Sequence, residues 1–238
     1  MGSCRHLVLG WCLSSSCVRS AASDVGAIPD ARSIAFVNEA GPIYVWLPGL
    51  VALLALGELL WHGRRLVVAF VVGHIGATLL VAAGLAVSVA VGLLSMSIID
   101  VTDVGMSYGA VAVLGTLTAA IPVRWRAAWT GWWLAVAVGS AAASAGDFTN
   151  VGHGIALVLG MLVGNRFGHP AHWTRARYAL LAVAASFGYM IMAYTELSLV
   201  VTATLGVIGA FGAHFVARWR RVRAGLQVAE VHRPQPAG

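Results

Sequence analysis

The chain has 238 residues, of which 59% are hydrophobic and 10% charged, with a net charge of +6; soluble domains average about 25% charged, so this composition excludes an ordinary water-soluble domain. Every basic residue is an arginine, and the arginines fall in short clusters between apolar runs. That excludes a nucleic-acid surface, where bases interleave with aromatics on one face, and reads as membrane topology.

The apolar runs are continuous and rich in Leu, Ala, Val and Gly, without the period-two alternation of a barrel strand. The fold class expected is therefore all-α, a polytopic membrane helix bundle. At roughly 20 residues per span the chain has room for six to eight helices.

Residues 1–40 form an N-terminal segment. Leu7 to Leu13 is apolar but too short to span, and Ser20 to Ala22 are small. A signal peptide, the remnant of a first helix and a start placed too early all remain open. The three cysteines, Cys4, Cys12 and Cys17, lie here and cannot staple the main body. Residues 41–217 are expected to hold about seven transmembrane helices. The first runs from Pro42 to Trp61, closed by Glu58 and the turn at Gly63-Arg64-Arg65, which Glu58 is expected to anchor. The second runs from Leu66 to about Val91 and carries His74. After a loop with Asp100 and Asp103 comes a short third span, Gly105 to Ile121, stopped by Pro122. A fourth (Ala127–Ala145), a short fifth (Val151–Val163) and a final pair (Tyr178–Thr195 and Ser198–Ala217) follow. Residues 218–238 are a basic, then Pro-rich tail, expected to be disordered.

Arg64/Arg65, Arg124/Arg126, Arg166/Arg175/Arg177 and Arg218/Arg220/Arg221/Arg223 occupy every second connection, and the others hold Glu39, Asp100/Asp103, Asp147 and Glu196. The positive-inside rule puts the arginine loops and the C-terminus in the cytoplasm. Arginine without lysine, beside an Ala/Val/Gly bias, fits a GC-rich bacterial genome and hence a bacterial cell membrane.

On this topology Ser107 and His153 each lie in the first turn of a span entering from outside, at one depth. A serine hydroxyl needs a base to become a nucleophile, and a histidine can be that base. Amides at a helix start are unpaired, so those of Met106 and Ser107 are candidate oxyanion donors, with Gly105 permitting the tight turn. His153, Ala156, Gly160 and Gly164 share one helix face, a small-residue stripe suited to close packing. The stripe Gly109, Ala112, Thr116 lies about half a turn from Ser107, so the faces alone do not derive the pairing. The bland readings are a helix-start serine bonded to backbone and a packing histidine; Asp103 reads as a helix cap.

Three motifs together resemble the rhomboid intramembrane proteases: Gly105-x-Ser107 heading a short helix, His153 with Gly154 and Gly160 heading another, and Leu54-Ala-Leu-Gly57-Glu58 before Gly63-Arg64-Arg65. The resemblance covers roughly residues 30–165. It implies a Ser107 nucleophile and His153 base cutting transmembrane protein substrates near the outer face, with no cofactor and no metal. Partners are then those substrates and the lipid bilayer, not nucleic acid. The chain departs from the pattern in three places. The family's first helix is missing or degraded in residues 1–30. Tyr108 stands where the family usually has Gly. The first span lacks His-x-x-x-Asn, for which His74 and Thr78, four apart on the next span, are candidate substitutes; for His74 a structural hydrogen bond is the alternative. These departures motivate a second expectation, a catalytically inactive rhomboid-like protein that binds transmembrane partners. A small transporter or channel is the third, disfavoured by the near absence of charge within the spans.

Overall fold

The structure is a computed structural model, and it describes residues 43–93, 106–144, 147–168, 172–193 and 196–231. The N-terminal segment, the Asp100/Asp103 loop, Gly105, His169 and the last seven positions lie outside the described residues.

Among the described residues all regular structure is helical: α1 (Ile43–Ala90), α2 (Ser107–Ala120), α3 (Val123–Ala143), α4 (Phe148–Gly164), α5 (Arg175–Met192) and α6 (Glu196–Val231). There are six such elements where seven spans were expected. The difference lies at His62, where φ is 63° and ψ 157° inside α1. A straight helix would carry residues 57 and 73 about 24 Å apart. Yet Gly57 abuts Val113 and Gly73 abuts Ala112, adjacent residues of α2, and Gly57 also packs on Leu66. The chain therefore folds back at His62, and α1 is two arms, 43–61 and 63–90, joined by a single-residue corner instead of a loop.

Three arginine contacts fasten the end of the bundle where this corner lies. Arg65 Nη1 donates to the carbonyl oxygen of Phe167 at 2.8 Å, with its guanidinium 5.7 Å from the Phe167 ring centre. Arg177 Nη2 donates to the carbonyl oxygen of Leu59 at 3.0 Å. Arg126 Nη2 donates to the carbonyl oxygens of Ala119 (3.0 Å) and Ile121 (3.1 Å), bracing the α2–α3 corner. Carbonyls near a helix C-terminus have no partner within the helix, and these guanidinium groups supply one. The carboxylate of Glu58 lies over Gly63. No ion pair joins it to Arg64 or Arg65 among the described residues, and Arg65 reaches across to Phe167 instead.

The centre of the molecule is α2, buried from Tyr108 to Ala120 and enclosed by α1, α4 and α5. Its packing on α4 is backbone against backbone. A Cβ on Gly160 would fall within 3.0 Å of the Ala112 carbonyl, one on Gly115 within 3.0 Å of the Leu157 carbonyl, and one on Gly164 2.8 Å from Thr116. The contacts step in one direction along both helices, 108 with 152 and 153, 112 with 160, 116 with 164. The two helices thus run parallel, with the start of α2 level with Gly152 and His153, about one turn into α4. α6 pairs with α3, where Gly131 meets Gly209 and Gly139 meets Thr202 and Leu205. Large apolar side chains such as Leu47, Val67, Leu79, Val138, Phe211 and Phe215 point outward and are exposed.

α6 continues to Val231, past the point where a disordered tail was expected. Residues 218–231 hold no proline, and their arginines, alanines and leucine are good helix formers. The Pro-rich stretch begins only at Arg233-Pro234.

Candidate functional site

Ser107 is the first helical residue of α2 and is half-buried. Met106 precedes it at the N-cap, exposed, and accepts the first helical bond from the Ala110 amide at 3.1 Å. The amide of Ser107 thus has no acceptor within the helix, and the Met106 side chain makes no capping bond; Asp103, expected to cap this end, lies outside the described residues.

His153 lies in the first half of α4, buried to 5% exposure. Neither ring nitrogen has a hydrogen-bond partner. Its imidazole stands edge-on to Tyr108, ring centres 5.2 Å apart and planes at 80°. The Tyr108 hydroxyl end fits against Gly152, where any Cβ would collide with it. The residue of α2 that meets His153 is therefore Tyr108. Ser107 is its neighbour, rotated 100° away around the helix.

The second arm of α1 closes the other side of this level. Gly73 sits against Ala112 and the Tyr108 carbonyl, and the Phe70 ring covers Gly109, 2.6 Å from where a Cβ would be. His74 follows Gly73 directly. Its ring is 6.2 Å from Phe70, and its Nδ1 is buried with no hydrogen-bond partner. The hydroxyl of Thr78 donates to the His74 carbonyl at 2.7 Å, so its proton is spent within its own helix. Of the two substitute donors expected on this span, His74 lies at the level of the α2 start with an unused nitrogen, and Thr78 is engaged elsewhere. Glu58, Arg64 and Arg65 belong to the opposite end of α1.

A buried polar node supports α4 from behind. Ser140 Oγ on α3 lies 2.9 Å from Asn150 Oδ1 and also against the carbonyl oxygen of Met192 at the end of α5. Asn150 Nδ2 reaches Asp147 Oδ2 at 3.4 Å. Ser140 and Asn150 are both almost fully buried. Sequence reasoning passed over this pair, because Asn150 closes the polar stretch Gly146-Asp147-Phe148-Thr149-Asn150 and reads there as a turn residue. It also treated Tyr108 only as a departure from a pattern. Stepping back four residues from Ala112 along the stripe Ala112–Thr116 reaches Tyr108, which marks it as facing α4.

The arrangement offers a half-buried hydroxyl at a helix start, with two histidines carrying unpartnered nitrogens nearby. Among the described residues no group of three or more His, Cys, Asp or Glu side chains could hold a metal. Two helical stretches, Trp46–Ala90 and Leu199–Ala224, are long and apolar enough to cross a membrane. No curated protein and no solved structure matches the chain. A family model described as rhomboid-like protein matches residues 46–165, just over half of the chain and the part that contains both Ser107 and His153. The chain belongs to this rhomboid-like family and is a rhomboid-like membrane protein.

Proposed function

We propose that the chain is an intramembrane serine protease that hydrolyses peptide bonds of transmembrane substrates, with Ser107 as nucleophile and His153 as base. The observation that carries this reading is the parallel glycine seam between α2 and α4, which holds the serine-bearing helix start and His153 at one level. α2 has 14 residues, about 21 Å at 1.5 Å per residue, against a hydrocarbon core of roughly 30 Å. A helix this short, sheathed by its neighbours, leaves its first turn below the membrane surface with room for water above it.

In the reaction Ser107 Oγ attacks the scissile carbonyl carbon and its proton passes to a ring nitrogen of His153. The amides at Met106 and Ser107, with His74, stabilise the oxyanion. Collapse of the adduct breaks the C–N bond, and the proton moves from His153 to the leaving amine. Water then hydrolyses the acyl-enzyme by the same proton path.

The arginine-rich connections gather at the other end, where Arg65, Arg126 and Arg177 close the bundle. By the positive-inside rule that end is cytoplasmic. The protein is then a multi-pass protein of a bacterial cell membrane with its C-terminus inside, and it cuts near the outer face.

A second reading is favoured by one contact: His153 meets the ring of Tyr108 and not the Ser107 hydroxyl. On that reading the chain is catalytically inactive and binds transmembrane partners. Labelling of the detergent-purified protein with a fluorophosphonate separates the two. The protease reading expects labelling that is lost in both Ser107→Ala and His153→Ala. An unlabelled but folded wild-type protein would overturn it in favour of the second.

A further inference from the structure

We propose that the groove between the start of α3 and the start of α5 is a binding site for one anionic phospholipid. This rests on the membrane reading and its cytoplasmic end, and is independent of whether Ser107 is catalytic.

The groove has a volume of about 350 Å³ and is walled by Ile121, Pro122, Trp125, Trp129, Tyr178 and Leu181. That lies at the lower end of the range for small-molecule sites, and the lining is apolar and aromatic enough for an acyl chain. The walls are preformed. The Trp173 indole N–H donates to the Ala120 carbonyl at 3.0 Å, and Tyr178 stacks on Trp173 with ring centres 4.9 Å apart. Arg126 clamps the α2–α3 corner from beneath.

Charge says what sits there. Of the four arginines at this corner, Arg126 and Arg177 are spent on carbonyl oxygens of the fold. Arg124 and Arg175 are exposed. Arg124 lies 6.0 Å from the ring of Trp125 at the groove's edge. Arg175 opens α5 one turn before Tyr178. No carboxylate pairs with either among the described residues, so their charge is available to a lipid phosphate at the headgroup level. An acyl chain in the groove and a phosphate on Arg124 and Arg175 use both features at once; a zwitterionic lipid uses the arginines less well.

The test is tryptophan quenching in phosphatidylcholine nanodiscs, doped with acyl-brominated phosphatidylglycerol or acyl-brominated phosphatidylcholine. The groove's signal is the difference between wild type and Trp129→Phe, which removes the fluorophore in the groove wall. The expected result is quenching of that signal by the anionic lipid at a lower mole fraction than by the neutral one. The preference should fall roughly fivefold for each arginine removed, in Arg124→Gln and Arg175→Gln, both exposed and safe for folding. Equal quenching by the two lipids would mean ordinary contact with surrounding lipid and would overturn the proposal. So would a preference that survives the double arginine variant, or displacement of the lipid by chain-free glycerophosphate. Fluorophosphonate labelling is unaffected in these variants, so failure here and failure of the protease reading are told apart.

Discussion

Replacing Gly160 and Gly73 by alanine tests the geometry of the seam, because the two added methyl groups meet different atoms. At Gly160 the new Cβ would fall within 3.0 Å of the carbonyl oxygen, carbonyl carbon and Cα of Ala112, all backbone. A carbon normally stays about 3.3–3.6 Å from a carbonyl oxygen, so α2 and α4 must part by on the order of 1 Å. Overpacking costs typically about 1–3 kcal/mol, and with no side chain able to yield, Gly160→Ala belongs at about 3 kcal/mol. At Gly73 the new Cβ collides with the Cβ of Ala112, while the nearest backbone atoms are 3.2 and 3.4 Å away. Gly73→Ala should cost about 2 kcal/mol, and Ala112→Gly should recover most of that. The same Ala112→Gly should recover nothing from Gly160→Ala. It carries its own cost of about 1 kcal/mol as a helical glycine, so each pair is read as a double-mutant cycle. Gly154→Ala is the control, since its Cβ meets only Ala137 at an ordinary 3.6 Å and should stabilise by a few tenths to about 1 kcal/mol. Denaturation in mixed micelles, read by tryptophan fluorescence, supplies the free energies. Rescue of both variants by Ala112→Gly, or a Gly160→Ala no worse than Gly154→Ala, would refute the backbone-on-backbone seam.

Other consequences are independent of the seam. His62→Gly should stabilise by about 1 kcal/mol, because glycine tolerates the positive φ at the α1 corner and its extra unfolded-state entropy offsets only part of the relief; His62→Ala should bring no gain in the same denaturation curves. Ser140→Ala removes the hydroxyl between Asn150 and the Met192 carbonyl and should cost about 1–3 kcal/mol by leaving buried acceptors unpaired. Adding Asn150→Leu to it should then cost less than the sum of the single changes. Trp173→Phe should cost about 1 kcal/mol through the orphaned Ala120 carbonyl, visible as a lower unfolding midpoint.

The order and type of the helices were legible because in this chain hydrophobic run length is almost the whole signal. Elements begin and end within a few residues of the expected spans where proline or glycine interrupts a run, whereas α6 runs through the Arg218–Arg223 cluster to Val231. The corner at His62 was harder to see. Its Trp61-His62-Gly63 reads as the start of a loop, and only the folded backbone reveals that one residue does the work. The seam between α2 and α4 was half legible. The stripe His153, Ala156, Gly160, Gly164 was visible by rotation alone, and it does face α2. The partner face was not fixed, because two stripes on α2 were available: Gly109 turns toward Phe70 of α1, while Ala112 and Thr116 turn toward α4. Counting glycines cannot choose between faces when the helix is buried all round.

That same all-round burial bears on how Ser107 would come to meet His153. Residues 108 to 120 of α2 are locked by contacts on every side, so the helix cannot rotate as a body to exchange Tyr108 for Ser107. The freedom lies in the first turn. The Ser107 amide is not part of the helical ladder, which starts with the Ala110 bond to Met106, and the Met106 side chain is exposed. Re-aiming the serine by the 100° that separates it from Tyr108 therefore costs the ladder only that first bond. It needs a change of backbone angles at Met106 and Ser107 alone. Substrate entering above α2 supplies an acceptor for the Ser107 amide and can stabilise the re-aimed turn. On this view the chain would hold its base fixed and its nucleophile adjustable, so a variant that stiffens the turn should lose labelling with little loss of fold. Met106→Pro does this: residue 106 already has φ −71°, close to proline's fixed value; because it also removes the Met106 N–H assigned above to the oxyanion, its decisive outcome is retained labelling. Retained fluorophosphonate labelling in Met106→Pro would show that Ser107 is already aimed, and that this account of its activation is wrong.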